Sequence, residues 1–138
     1  ALATRGHQGR IDCLEHERAR AERLRSLLAR HQLSHVHVHH APLVDRGDYH
    51  WYRISELELP EAIGFVFCDG PPWWTPGGRF GLMPELGARI ARGAKIVLDD
   101  VNRPAELRAL RRWCDAGWEL VDRKHGRDGR EWATLRAT

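Results

Sequence analysis

The segment Gly64-Phe65-Val66-Phe67-Cys68-Asp69-Gly70-Pro71-Pro72 constrains this chain most. An uninterrupted apolar run ends on an aspartate, then breaks on glycine and two prolines. The pattern returns at Ala94-Lys95-Ile96-Val97-Leu98-Asp99-Asp100 and, more weakly, at Ile11-Asp12-Cys13-Leu14-Glu15. Continuous apolar runs suit strands buried on both faces, as in parallel sheets covered by helices. Such sheets bind ligands beyond the carboxyl ends of their strands. Three strands tipped with carboxylates therefore predict one acidic, ligand-binding rim.

The rest of the chain fits around these strands. Arg10 to Glu15 reads as the first strand. Glu17 to His31 reads as a helix, with Ala21, Leu24, Leu27, Leu28 and Ala29 at helical spacing and Arg and Glu opposite. His35 to His39 alternates with valines and reads as a strand ended at Pro42. Asp45 to Pro60 reads as a loop with a short irregular element, and Pro71 to Gly78 as a shaped loop. Leu82 to Ala91 predicts a short helix capped by Gly93, followed by a strand at Lys95 to Leu98. Pro104 opens a helix whose apolar stripe is Leu107, Leu110, Trp113 and Cys114, stopped by Gly117. Trp118 to Val121 and Glu131 to Leu135 are strands with no helix between them, hence an antiparallel hairpin. The alternation of strands and helices predicts a three-layer α/β sheet, mostly parallel, over a single domain spanning residues 1–138.

Composition excludes several function classes. No apolar run approaches the roughly 18 residues of a membrane span, and no signal peptide is visible at the N-terminus. Cys13, Cys68 and Cys114 are odd in number and widely spaced, which fits neither a disulfide framework nor a zinc knuckle. The expectation is a reducing, cytoplasmic setting. The net charge of +3 comes from arginines interleaved with acids along helices, a solvated-face pattern rather than a nucleic-acid footprint.

In order and spacing these segments resemble the C-terminal two-thirds of a class I S-adenosylmethionine-dependent methyltransferase, a Rossmann-like fold whose sheet ends in an antiparallel hairpin. The motifs concerned are Cys13-Leu14-Glu15-His16, His40-Ala41-Pro42-Leu43, Phe67-Cys68-Asp69-Gly70-Pro71-Pro72 and Val97-Leu98-Asp99-Asp100. The resemblance implies that Glu15, with His16 beside it, holds the cofactor's ribose hydroxyls. It implies that His40, Ala41, Pro42 and Leu43 contact the adenine. Asp69 and Pro71 would border the methyl-transfer site. The family's first strand and glycine-rich loop have no counterpart here, and Ala1 to Gly9 resemble the tail of the helix that follows that loop. The expectation is a chain lacking its first βα unit, with two strands left in need of a neighbour and hence prone to form a homodimer.

Each motif also has a plainer reading. The Glu15 carboxylate suits two ribose hydroxyls, and it equally suits the positive end of a helix dipole. Asp69, Asp99 and Asp100 offer the hard oxygens that Mg²⁺ prefers, similar to the metal site of catechol-type O-methyltransferases, where the ion would activate a hydroxyl. The alternative is that they cap loops or touch cofactor without metal. Asp69 and His40 are the candidate general bases for an acceptor. Trp73, Trp74, Arg79 and Phe80, joined by Trp51 and Tyr52, are candidates to grip a planar or anionic small-molecule acceptor, or else pack a long loop. His35, His37 and His39 fall on one strand face roughly 7 Å apart, a poor geometry for a tetrahedral metal. The serines lack a nucleophile-elbow context, and Gly77-Gly78 lacks the lysine of a phosphate loop. The competing functions are a non-catalytic Rossmann-like module and, less well matched because of the terminal hairpin, a nicotinamide-dependent oxidoreductase.

Overall fold

The computed structural model describes residues 9–138, so the helix tail expected over Ala1 to Gly9 lies, but for Gly9, outside the described residues. The protein is mixed α/β: β1 (Ile11–Glu15), α1 (Arg18–Arg30), β2 (Val36–His40), β3 (Leu43–Asp45), β4 (His50–Tyr52), β5 (Ile63–Cys68), α2 (Leu82–Leu86), β6 (Ile90–Leu98), α3 (Pro104–Asp115), β7 (Glu119–His125) and β8 (Glu131–Arg136). It divides into two compact units, residues 1–44 with 52–59, and residues 45–51 with 60–138. Among the described residues no helix is long and apolar enough to cross a membrane.

In the first unit β1 and β2 run parallel, with Glu15 paired to His40 at their carboxyl ends. Helix α1 connects them, as a parallel crossover requires. Its apolar stripe is only partly covered. Ala21 is fully buried, whereas Leu24 and Leu27 are exposed.

The second unit holds the strand order β5-β6-β8-β7. β5 and β6 are parallel, and β8 runs antiparallel to both β6 and β7. The sheet is therefore mixed, and the terminal hairpin is antiparallel as the missing crossover helix demanded. Register places Val66, Cys68, Ile96, Leu98, Ala133 and Leu135 on one face. Of these Ile96, Leu98, Ala133 and Leu135 are wholly inaccessible, and with Ala109, Leu110 and Trp113 of α3 they belong to the core. The opposite face carries Phe65 and Phe67, which are 58% and 60% exposed. The continuous apolar run of β5 implied burial on both faces; only one is buried.

The strand boundaries depart from the sequence reading at three places, one of them β7, which runs to His125 rather than ending at Val121. β3 and β4 form a short ladder where a loop was expected. Its turn is closed by the Arg46 N–H donating to the Tyr49 carbonyl (2.9 Å). The predicted helix over Leu82 to Ala91 stops at Leu86, and one 3₁₀ turn leads into β6 at Ile90. Gly93 is consequently not a helix cap. It lies inside β6 with φ +80°, where the ladder steps from Ile63–Ile90 to Phe65–Lys95 and β6 bulges outward. A side chain would be strained at that φ.

Candidate functional site

Parallel pairing brings two of the predicted acids together. Cys68 and Leu98 are register partners at the ends of β5 and β6, and the Asp99 N–H donates to the Cys68 carbonyl (3.1 Å). Asp69 and Asp99 thus leave adjacent strands side by side. Asp100 follows with φ +56°, a left-handed conformation that aspartate tolerates better than most residues. One carboxylate oxygen from each of Asp69, Asp99 and Asp100 lies within 4.8 Å of the others. Withdrawal from water pushes the Asp69 carboxyl above its ordinary value, as do the Asp99 and Asp100 charges, against the pull of Arg79.

Arg79 is the residue that sequence reasoning misplaced. It is only 1% exposed, so it does not present a guanidinium to solvent or to an anionic acceptor. Nη1 donates to the Asp99 carbonyl. Nη2 reaches the Asp69 carbonyl (2.8 Å), Asp69 Oδ1 (3.3 Å) and Asp100 Oδ2 (2.9 Å). Arg103 reaches the same Asp100 oxygen at 2.9 Å. One buried fork therefore fastens the ends of two strands. The available signal was Gly77-Gly78, whose φ values of +78° and +56° turn the chain just before Arg79.

The surrounding aromatic residues sort into two groups. Trp73 and Trp74 are 68% and 63% exposed, packed edge to face with centroids 5.9 Å apart. Phe80 is instead half-buried, with the Arg112 guanidinium 3.6 Å over its ring and Tyr49 edge-on at 5.5 Å. Trp51 is buried under Gly81 and is no wall of an open pocket. Tyr52 is buried in the first unit. Pro71, after a cis bond from Gly70, is among the fully buried side chains. Burial pushes the Cys68 thiol up to about 12, so it is inert as a nucleophile.

The first unit assembles the other predicted residues. Glu15 Oε1 accepts the Glu17 N–H (2.9 Å) at the start of α1 and lies 3.1 Å from His16 Nδ1. Oε2 has Arg20 at 3.7 Å. The Glu15 carbonyl accepts the Ala41 N–H (2.8 Å), so Glu15, His16, His40 and Ala41 gather at one strand end. Pro42 follows, its carbonyl accepting the Arg53 N–H (2.9 Å), and Leu43 opens β3. The histidine run does not act as a group. His37 is exposed, whereas His39 Nε2 meets Asp12 Oδ1 at 2.7 Å. Burial acts to raise the Asp12 carboxyl, but Arg10 and His39 hold it below its ordinary value.

No protein-family model matches the chain, and no curated protein matches its sequence. A solved structure does: "Putative methyltransferase yhhF from Escherichia coli", at 17% identity and a TM-score of 0.60 over 94% of this chain. The chain spans 64% of the length of that neighbour. At this identity the likeness establishes a shared fold.

Proposed function

We propose that this chain is part of an S-adenosylmethionine-dependent methyltransferase acting on a small-molecule acceptor. The observation that carries the reading is the parallel β5–β6 pair, which sets Asp69 beside Asp99 beyond the carboxyl ends of adjacent strands, where open α/β sheets hold ligands. The fold shared with yhhF supports it. So does the mixed sheet ending in an antiparallel pair.

The residues fit the cofactor's chemistry. Glu15 spends Oε1 on a main-chain N–H but keeps lone pairs on Oε2, whose nearest charge is 3.7 Å away. Those lone pairs suit ribose hydroxyls. His16, Ala41, Pro42 and Leu43 take the nucleoside contacts that the family resemblance gives them. S-adenosylmethionine, when bound, supplies a methyl group already activated as a sulfonium, so the protein's task is to position the acceptor. Asp69, its side chain 61% exposed and its carboxyl biased toward holding a proton, is the group to accept a proton from an acceptor. His40 is the second candidate base. Trp73 and Trp74 offer faces for a flat acceptor.

A non-catalytic assembly module is the second reading, favoured by the exposed Phe65 and Phe67. Calorimetric titration with S-adenosylmethionine and S-adenosylhomocysteine separates the two, using the longest natural chain that contains this sequence. The methyltransferase reading expects binding heat that Glu15→Gln weakens by about tenfold. No heat from either compound leaves only the assembly reading.

A further inference from the structure

The acids at the ends of β5 and β6 have the spacing of a divalent-cation site, and a buried guanidinium already stands among them. We propose that Arg79 is the resident cation of this rim. It performs the neutralising and orienting that a metal ion would perform, and the Asp69, Asp99 and Asp100 cluster takes no divalent cation while Arg79 is in place.

The inference rests on which oxygens are taken. A divalent ion needs a shell of oxygens at about 2.0 to 2.6 Å. Here Asp69 Oδ1 and Asp100 Oδ2 both face Arg79 Nη2, and Asp100 Oδ2 is shared with Arg103. An ion placed between them would sit against two positive groups, one of them the buried Arg79, and like charges at that range repel.

Arg79 cannot make way by losing a proton, since a guanidinium stays charged in proteins. Nor can it swing aside cheaply. It is buried, and leaving would strip the main-chain carbonyls of Asp69 and Asp99 of their donor. Its Nε has no hydrogen-bond partner. The side chain therefore forgoes one donor to bring its two terminal nitrogens to the strand ends, so the acids and carbonyls there decide its position. In the methyl-transfer reading this makes Arg79 a positioning residue that aims the exposed Asp69, and an acceptor is oriented without metal. The proposal itself concerns the cluster and stands apart from that reading.

The test is titration of Mn²⁺ into the longest natural chain that contains this sequence, with free Mn²⁺ read by its electron paramagnetic resonance signal. Wild type is expected to show no site that Asp99→Asn removes. Arg79→Met, verified as folded by its amide spectrum, is expected to gain Mn²⁺ affinity by about tenfold or more, and adding Asp99→Asn should abolish the gain. A merely structural arginine would confer no such gain on removal. Wild-type binding that Asp99→Asn abolishes overturns the proposal, and so does a folded Arg79→Met that binds no better than wild type. If Arg79→Met does not fold, the comparison of wild type with Asp99→Asn alone decides.

Discussion

Asp12 shows how a single side chain can carry a pH dependence. It is bonded to Arg10 at 2.8 Å and to His39 at 2.7 Å, and both partners favour its ionised form. A carboxyl held below its unfolded value adds stability that is complete above about pH 4. That stability is lost as pH falls through the lower, folded-state value. Asp12→Asn is therefore expected to cost about 1 kcal/mol near neutrality and to flatten the acid side of a plot of urea midpoint against pH. An unchanged acid limb would show that the pair contributes nothing. The His39 contact was not legible beforehand, because it depends on the parallel register of two strands and not on spacing within either. Arg79 was hidden for a related reason. Arginine is seldom fully buried, and its partners Asp69, Asp99 and Asp100 meet only once β5 and β6 have paired. The carboxylates themselves were legible, since each closes an apolar run.

The elements were legible where periodicity or punctuation was strong. Pro104 sits in the first turn of α3 and Gly117 follows its end with φ +99°, as the residue types implied. The adjacent apolar segments with no helix between them did become an antiparallel pair. Residues 82 to 93 misled because Leu-Met-Pro-Glu-Leu and Ile-Ala-Arg-Gly-Ala carry no contrast in apolar spacing. The ladder with β5 claims the second stretch for a strand. A packing constraint at α2 was equally invisible. Gly81 has φ −57°, so alanine would suit its backbone, but a Cβ there would lie 2.6 Å from Trp51 Cε3 and 2.9 Å from Tyr49 Cδ2. Trp51 is buried and has little room to yield. Gly81→Ala is expected to destabilise the protein by about 1–3 kcal/mol, measured by urea unfolding followed through tryptophan fluorescence. A neutral result would mean the indole can shift.

At the scale of the whole molecule, the second unit's sheet is finished on one face and open on the other. β5 forms one edge of that sheet, and its sequence Ile-Gly-Phe-Val-Phe-Cys contains neither charge nor proline. Natural edges are usually guarded by such residues. Self-association through β5 is the expected outcome, seen as a sedimentation coefficient that rises with protein concentration. The double substitution Phe65→Thr with Phe67→Thr keeps strand-forming residues and is expected to leave a monomer. Association that survives it would place the contact elsewhere. Arg79 sits at the carboxyl ends of β5 and β6, and two of its acceptors are peptide carbonyls, at Asp69 and Asp99. No exchange of one amino acid for another deletes a peptide carbonyl. Mutational drift can thus vary the acidity of this surface, retuning what it attracts, while the clasp between the two strands persists.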